Sequence, residues 1–234
     1  LNFSHPLANG LVAAFLCNEG GGNLVRNLVN PDSNLVLVGS YGASRLGVGI
    51  LTKANGNYAK KTTPQRLKIP FPVTIVYLGW SHGTPSAYSQ YFSSEYGDTD
   101  SDPYIAYSLT YRDGSTYKLG LVYNNNGTYA IDVMNTNVAP PVNGKLFLAG
   151  VLGKTSQQLY FNNTLIKTGT ATLTTPTYGA TAVIDFGNSI VQTRNPNATA
   201  IMGLIYNRAL SPSEIQSLYV APYQMIAPQK SRFT

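Results

Sequence analysis

Charge, cysteine and long apolar runs are all scarce in this chain. Its 234 residues hold one cysteine, Cys17, which excludes an internal disulfide framework. A nucleophilic thiol would need an imidazole, and only His5 and His82 exist. Cys17 sits in an apolar strand pattern and reads as a small buried residue. No run approaches the roughly 18 apolar residues of a membrane helix. No signal peptide is visible, and a start at Leu1 is compatible with a processed N-terminus. Charged residues are 11% of the chain and give a formal net charge of +6. Lys53, Lys60, Lys61, Arg66 and Lys68 form the one notable basic cluster. A nucleic-acid module would show a basic stripe interleaved with stacking aromatics. We therefore expect neither nucleic-acid binding nor membrane insertion.

What remains is a polar, uncharged chain rich in Tyr, Asn, Thr, Ser and Gly, as in extracellular or particle-borne β proteins. The length suits a single sandwich domain. Short strand patterns punctuated by Gly, Pro and Asn run from Leu11–Cys17 through Leu35–Val38, Val48–Leu51 and Asn57–Lys60. Val73–Trp80 is apolar on both faces and so central. Tyr88–Tyr96, Tyr104–Tyr111, Thr116–Tyr123 and Thr128–Met134 follow, the middle pair joined across Arg112-Asp-Gly-Ser115 as a hairpin. The last three of these form a meander, in which Tyr107 and Tyr111 face the core. Lys145–Leu152, Gln158–Phe161, Thr164–Thr168 and Ala182–Phe186 complete the middle of the chain. Near the end, Ile201–Tyr206 alternates two apolar sets, a strand covered on both faces. The period then changes. Ser211 is an N-cap, Pro212 the first helical position and Glu214 the partner in a capping box, so a short helix follows. Residues 221–234 read as a Pro-containing tail beyond a domain spanning 1–220, either an arm docking on a neighbour or a frayed end.

Three stretches carry a family resemblance. Ile205-Tyr-Asn-Arg-Ala-Leu-Ser211 with Ser213-Glu-Ile-Gln-Ser-Leu-Tyr219 resembles the closing strand and helix of concanavalin A-like/laminin-G-like jelly rolls. Gly10–Asn23 is similar to that family's first strand and acidic glycine turn, and Leu148-Ala-Gly-Val151 with Gln158-Leu-Tyr-Phe-Asn162 to its central hairpin. The resemblance implies an all-β, two-sheet antiparallel sandwich with one short C-terminal helix. It says less about function, because the fold hosts lectins, glycosidases, adhesion modules and capsid parts. The lead-in Ser4–Val12 and the ending Leu218–Met225 look like those of laminin-G-like proteins common in bacteriophage genomes, which implies a virion surface.

Glycosidases of this fold place two carboxylates a few residues apart on one strand, because cleavage needs both. The only glutamates here are Glu19 in a turn, Glu95 at a strand end and Glu214 at the helix cap. We therefore expect no enzyme. Asp98, Asp100 and Asp102 alternate on a loop and offer hard oxygen ligands for calcium, against the plainer reading of a solvated acidic loop. Many laminin-G-like domains carry calcium at a loop end, but the acidic residue often found before their closing strand is absent from Ala200-Ile-Met-Gly203. Sugar recognition needs an aromatic platform beside hydrogen-bonding groups. Trp80, His82, Tyr88, Tyr91 and Tyr96 surround two loops that could share a rim with the aspartates. Tyr88 and Tyr96 read equally well as half-buried strand residues. The sequons at Asn2, Asn126, Asn162 and Asn197 are expected by chance in such a composition.

The expected function is a non-catalytic carbohydrate-binding or adhesion module at a virion surface or elsewhere outside the cell. Its partners would be glycans, with capsid or tail proteins and self-association as further contacts. The alternative is a purely structural decoration or tail protein without a glycan ligand, and a glycoside hydrolase comes third.

Overall fold

The computed structural model describes residues 1–53, 56–62, 67–95, 105–114, 117–124, 131–174, 178, 182–187 and 194–226. Among them, sixteen strands form two antiparallel sheets of eight. The first eight are β1 (Leu11–Leu16), β2 (Leu24–Val25), β3 (Leu35–Val38), β4 (Tyr41–Ser44), β5 (Gly47–Leu51), β6 (Tyr58–Thr62), β7 (Val73–Ser81) and β8 (Ser89–Glu95). There follow β9 (Ile105–Gly114), β10 (Tyr117–Asn124), β11 (Ile131–Asn135), β12 (Gly144–Leu152), β13 (Gln157–Phe161), β14 (Thr164–Gly169), β15 (Val183–Phe186), β16 (Ala198–Tyr206) and helix α1 (Pro212–Val220). The first sheet runs β14-β13-β12-β7-β16-β5-β4, with β1 added beside β16; the second runs β11-β10-β9-β8-β15-β6-β3-β2. The expected three-strand meander is present as β9, β10 and β11, and β8 adds beside β9.

β7 and β16 hold the centre of the first sheet because they are apolar on both faces. Val73, Ile75 and Tyr77 of β7 point into the core between the sheets, while Val76 and Leu78 point outward into a second apolar cluster. β16 divides likewise, Ala198, Ala200 and Ile205 facing inward and Met202, Leu204 and Tyr206 outward. Helix α1 accounts for the outward set. A nine-residue helix is marginal alone, but Ile215 and Leu218 bury against this face together with Leu7, Leu210 and Met225. The capping box is complete: the Glu214 backbone N–H donates to Ser211 Oγ, and Ser211 N–H donates to Glu214 Oε2 at 2.8 Å. Arg208 clamps the same carboxylate with two guanidinium N–H groups, at 2.6 and 3.0 Å.

Between the sheets, Phe92 and Phe186 stack at 4.4 Å and Phe15 meets both edge-on. Gly203 makes this possible, since a Cβ there would lie 2.4 Å from the Phe186 ring. Cys17 is fully buried, and burial pushes its thiol well above the usual range. Tyr107 and Tyr111 are core residues, as their strand face implies. The expected tail is packed at its start: Asn2 N–H donates to Met225 O at 2.8 Å, and Met225 is fully buried. Residues 227–234 lie outside the described residues. The two short strands β2 and β4, and the 3₁₀ turns Pro6–Ala8 and Pro31–Ser33, were not legible as elements in the sequence.

Candidate functional site: a rim and a polar face

β7 leaves the first sheet at Ser81 and the chain returns as β8 through residues 82–88. That loop is tied to the approach of β16. His82 N–H donates to Asn197 O, and Ser86 N–H to Asn195 O, both at 2.9 Å. The Asn197 side-chain amide donates to Thr84 O at 3.2 Å. Tyr88 and Asn197 both adopt left-handed backbone angles, φ 59° and 47°, which turn the chain at the two ends of this contact.

Trp80 and His82 meet at Thr199. Thr199 is the cross-strand partner of Trp80, and its Oγ1 lies 2.7 Å from His82 Nε2. Burial, with help from the charge of nearby Lys53, holds the imidazole below the usual histidine range, so it is neutral at pH 7. Trp80 is half-buried, with the Arg45 guanidinium 5.8 Å from its ring centroid. Tyr88, 46% exposed, stands at the other end of the loop beneath the Arg194 guanidinium, 5.6 Å away. The structure therefore brings Trp80, His82 and Tyr88 to one rim.

Tyr91 must be removed from that set. It is fully buried between the sheets, 5.4 Å from the Tyr77 ring, and burial pushes its phenol well up. β8 carries a register shift between Gln90 and Phe92, so both Tyr91 and Phe92 face the core and simple alternation fails there. Tyr96, Asp98, Asp100 and Asp102 lie outside the described residues. Among the described residues, no three His, Cys, Asp or Glu side chains converge as a metal site would require.

A second feature was missed by the sequence reading. Register places Lys60, Asp185, Ser93, Ser108 and Val122 in one row across β6, β15, β8, β9 and β10. Gln90 and Thr110 form the adjacent row, and Asn124 shares the face of Val122. This is the outer face of the second sheet: its apolar members Val122 and Val183 belong to neither core cluster. Gln90, Ser93, Asp185, Ser108, Thr110 and Asn124 are all at most 3% exposed. Ser93 Oγ donates to Asp185 Oδ1. Yet Gln90 Oε1, Ser108 Oγ and both side-chain polar atoms of Asn124 have no hydrogen-bond partner. A buried polar atom left unpaired costs about 1–3 kcal/mol. Unpaired hydroxyls of Tyr77, Tyr91 and Tyr107 lie between the sheets as well. At 0–3% exposure the outer-face row is closed to solvent, so it is a candidate site only for a ligand admitted when the face opens. The signal was present in the sequence: Ser108 and Thr110 alternate with Tyr107, Leu109 and Tyr111, and Asp185 interrupts an apolar run.

Two packed antiparallel sheets and a covering C-terminal helix define a jelly-roll β-sandwich. A family model described as Concanavalin A-like lectin/glucanases superfamily matches residues 80–216, more than half of the chain. The chain belongs to this superfamily. Among solved structures, it is similar to domain 4 of a GH43 extracellular arabinanase from Geobacillus stearothermophilus, solved in complex with arabinotriose. The TM-score is 0.68 at 15% identity, covering 89% of this chain and 98% of that one. The binding domain of Paraclostridial Mosquitocidal Protein 1 gives a TM-score of 0.68 at 15% identity, with 93% and 53% covered. Trypanosoma rangeli sialidase in complex with sialic acid gives 0.65 at 16%, with 93% and 34% covered. The chain thus spans about a third of that sialidase. At these identities the likeness is one of fold. No curated protein matches the chain.

Proposed function

We propose that this chain is a non-catalytic carbohydrate-binding module acting outside the cell, with the outer face of the second sheet as its sugar site. The observation that carries the reading is the row of buried hydroxyl, amide and carboxylate groups, several of their atoms unpartnered; the row is closed to solvent in this structure, so binding requires the face to open. A sugar presents many neutral hydroxyls, each able to donate and accept, and Ser108, Gln90 and Asn124 answer that chemistry with uncharged partners. Asp185, a strong acceptor, would take a hydroxyl proton in a charge-assisted hydrogen bond. Glycoside cleavage of the usual kind needs two carboxyls; binding without hydrolysis is the expectation from the sparse glutamates of the sequence, Glu19, Glu95 and Glu214.

The arabinanase domain with its bound arabinotriose makes plant-type pentose oligosaccharides the first ligands to try. Display on a phage particle is the narrower form of this reading and rests on the lead-in and closing segments of the sequence. Calcium held by Asp98, Asp100 and Asp102 is a further part of it. A glycan array probed with the full chain, with calcium and again with chelator, tests both. Binding is expected, and loss on chelation supports the metal. Binding that ignores chelation removes calcium from the proposal, and silence in both conditions overturns the module itself.

A further inference from the structure

The rim described above holds several cations and, among the described residues, no compensating carboxylate. Lys53 and Arg194 are brought there by the end of β5 and the approach to β16, and the Arg45 side chain reaches Trp80 from the turn at the far end of β5. Arg45 occupies the turn between β4 and β5, over Trp80. Lys53 follows Thr52, whose N–H and Oγ1 both donate to Ala198 O at the start of β16. Arg194 precedes Asn195, which accepts from Ser86 of the rim loop. Five residues separate Arg194 from Thr199, so the segment spans at most about 18 Å.

The two arginines differ from Arg208 in a telling way. Arg208 has its charge met by Glu214 in a bidentate pair. Arg45 and Arg194 lie against aromatic rings at 5.8 and 5.6 Å, as Arg208 does against Tyr206 at 5.7 Å, but with no carboxylate partner among the described residues. A guanidinium seated over a ring loses conformational freedom but keeps its N–H donors. Such a side chain is pre-ordered to receive an anion, and the planar fork suits carboxylate and sulfate oxygens. Burial first, and then the charge of Lys53, lowers the basicity of His82 beside it.

We propose that this rim is a second binding site, separate from the polar sheet face, for the anionic groups of an acidic oligosaccharide. Arg45 and Arg194 would take carboxylate or sulfate oxygens, Lys53 would add charge, and the half-buried Trp80 would lie beneath the sugar chain. The shared ligand chemistry is an anionic oxygen cluster on a polyol; a uronate or a sulfated sugar could supply it.

Trp80 is the only tryptophan in the chain, so its emission reports on this rim alone. The full chain is titrated with an oligogalacturonate, a heparin-derived sulfated oligosaccharide and a neutral arabino-oligosaccharide, at low and at physiological salt. At least one acidic ligand is expected to shift Trp80 emission, with affinity that falls as salt rises. The two acidic arms tell uronate from sulfate. Arg45→Gln and Arg194→Gln are each expected to weaken acidic binding about tenfold, while Lys167→Gln on the opposite edge strand β14 leaves it unchanged. An equal loss from Lys167→Gln would reveal diffuse attraction to a basic protein and overturn the site. So would acidic binding untouched by both arginine changes, or no acidic binding at all. Neutral-ligand binding that persists in Arg45→Gln and Arg194→Gln keeps the sheet-face site standing whatever the acidic arms show.

Discussion

Replacing Glu214 separates two interactions that fasten the last element of the fold. Its carboxylate completes the capping box of α1 and also receives the bidentate Arg208 pair. Glutamine at this position can still accept the Ser211 N–H but loses the ionic part of the Arg208 contact. Both partners are about a quarter exposed, so solvent screening limits that part to about 1 kcal/mol. Alanine removes the cap contact as well, adding about 1 kcal/mol. In a domain of this size, 1 kcal/mol shifts Tm by about 2–4 °C. Glu214→Gln should therefore lower Tm by roughly 2–4 °C and Glu214→Ala by roughly 4–8 °C on the same scale. The pH dependence follows from the carboxyl itself. Hydrogen bonds from Arg208, and then from Ser211, lower it from 4.5 to about 2 against the opposing effect of burial. A depressed acid contributes its full stabilisation above its unfolded value and loses it as pH falls towards the folded one. The gap between wild type and Glu214→Gln should be full at pH 7 and shrink steadily from pH 4.5 to pH 2. Thermal melts followed by circular dichroism at pH 7, 4 and 2 measure it. A gap as large at pH 2 as at pH 7, or none at pH 7, would refute the reasoning.

Gly203→Ala should drive a methyl group into the Phe92–Phe186 stack and cost about 1–3 kcal/mol, read as a lowered denaturant midpoint. Tyr91→Phe should leave sugar affinity unchanged, because its hydroxyl is buried without a partner; lost binding in a titration would return that hydroxyl to a ligand site. His82 contributes in the opposite sense to a paired histidine. Its imidazole is held below 6.5 in the folded protein, so stability should fall as pH drops through the unfolded value near 6.5. His82→Gln should flatten that slope in urea melts between pH 8 and 5.

The sequence exposed those parts of the fold whose residues repeat with a clear period or carry a cap. β7, β12 and β16 read as strands covered on both faces because they are apolar throughout, and α1 was fixed by Ser211, Pro212 and Glu214. β2 and β4 escaped because two to four residues are too few to carry a periodic signal. The rim was legible in Trp80, His82 and Tyr88, whose loop is bounded by Gly83 and Pro85. Tyr91 misled because a bulge breaks alternation where no sequence feature announces it. The polar face stayed hidden for another reason: its members come from β8, β9, β10 and β15, and only the register of the sheet makes Ser93, Ser108 and Asp185 neighbours. Their short polar side chains look like ordinary surface residues until burial shows otherwise.

The central claim is that the buried polar row binds sugar. Isothermal titration of the full chain with arabino-oligosaccharides, or with the best ligand from the array, tests it on wild type, Ser108→Ala and Asn124→Ala. Each alanine removes polar atoms that lack a partner in the free protein, so melting temperatures should hold or rise. Sugar affinity should fall about tenfold per variant, the equivalent of about 1.4 kcal/mol. Unchanged affinity in both variants, with intact melting temperatures, would contradict the account.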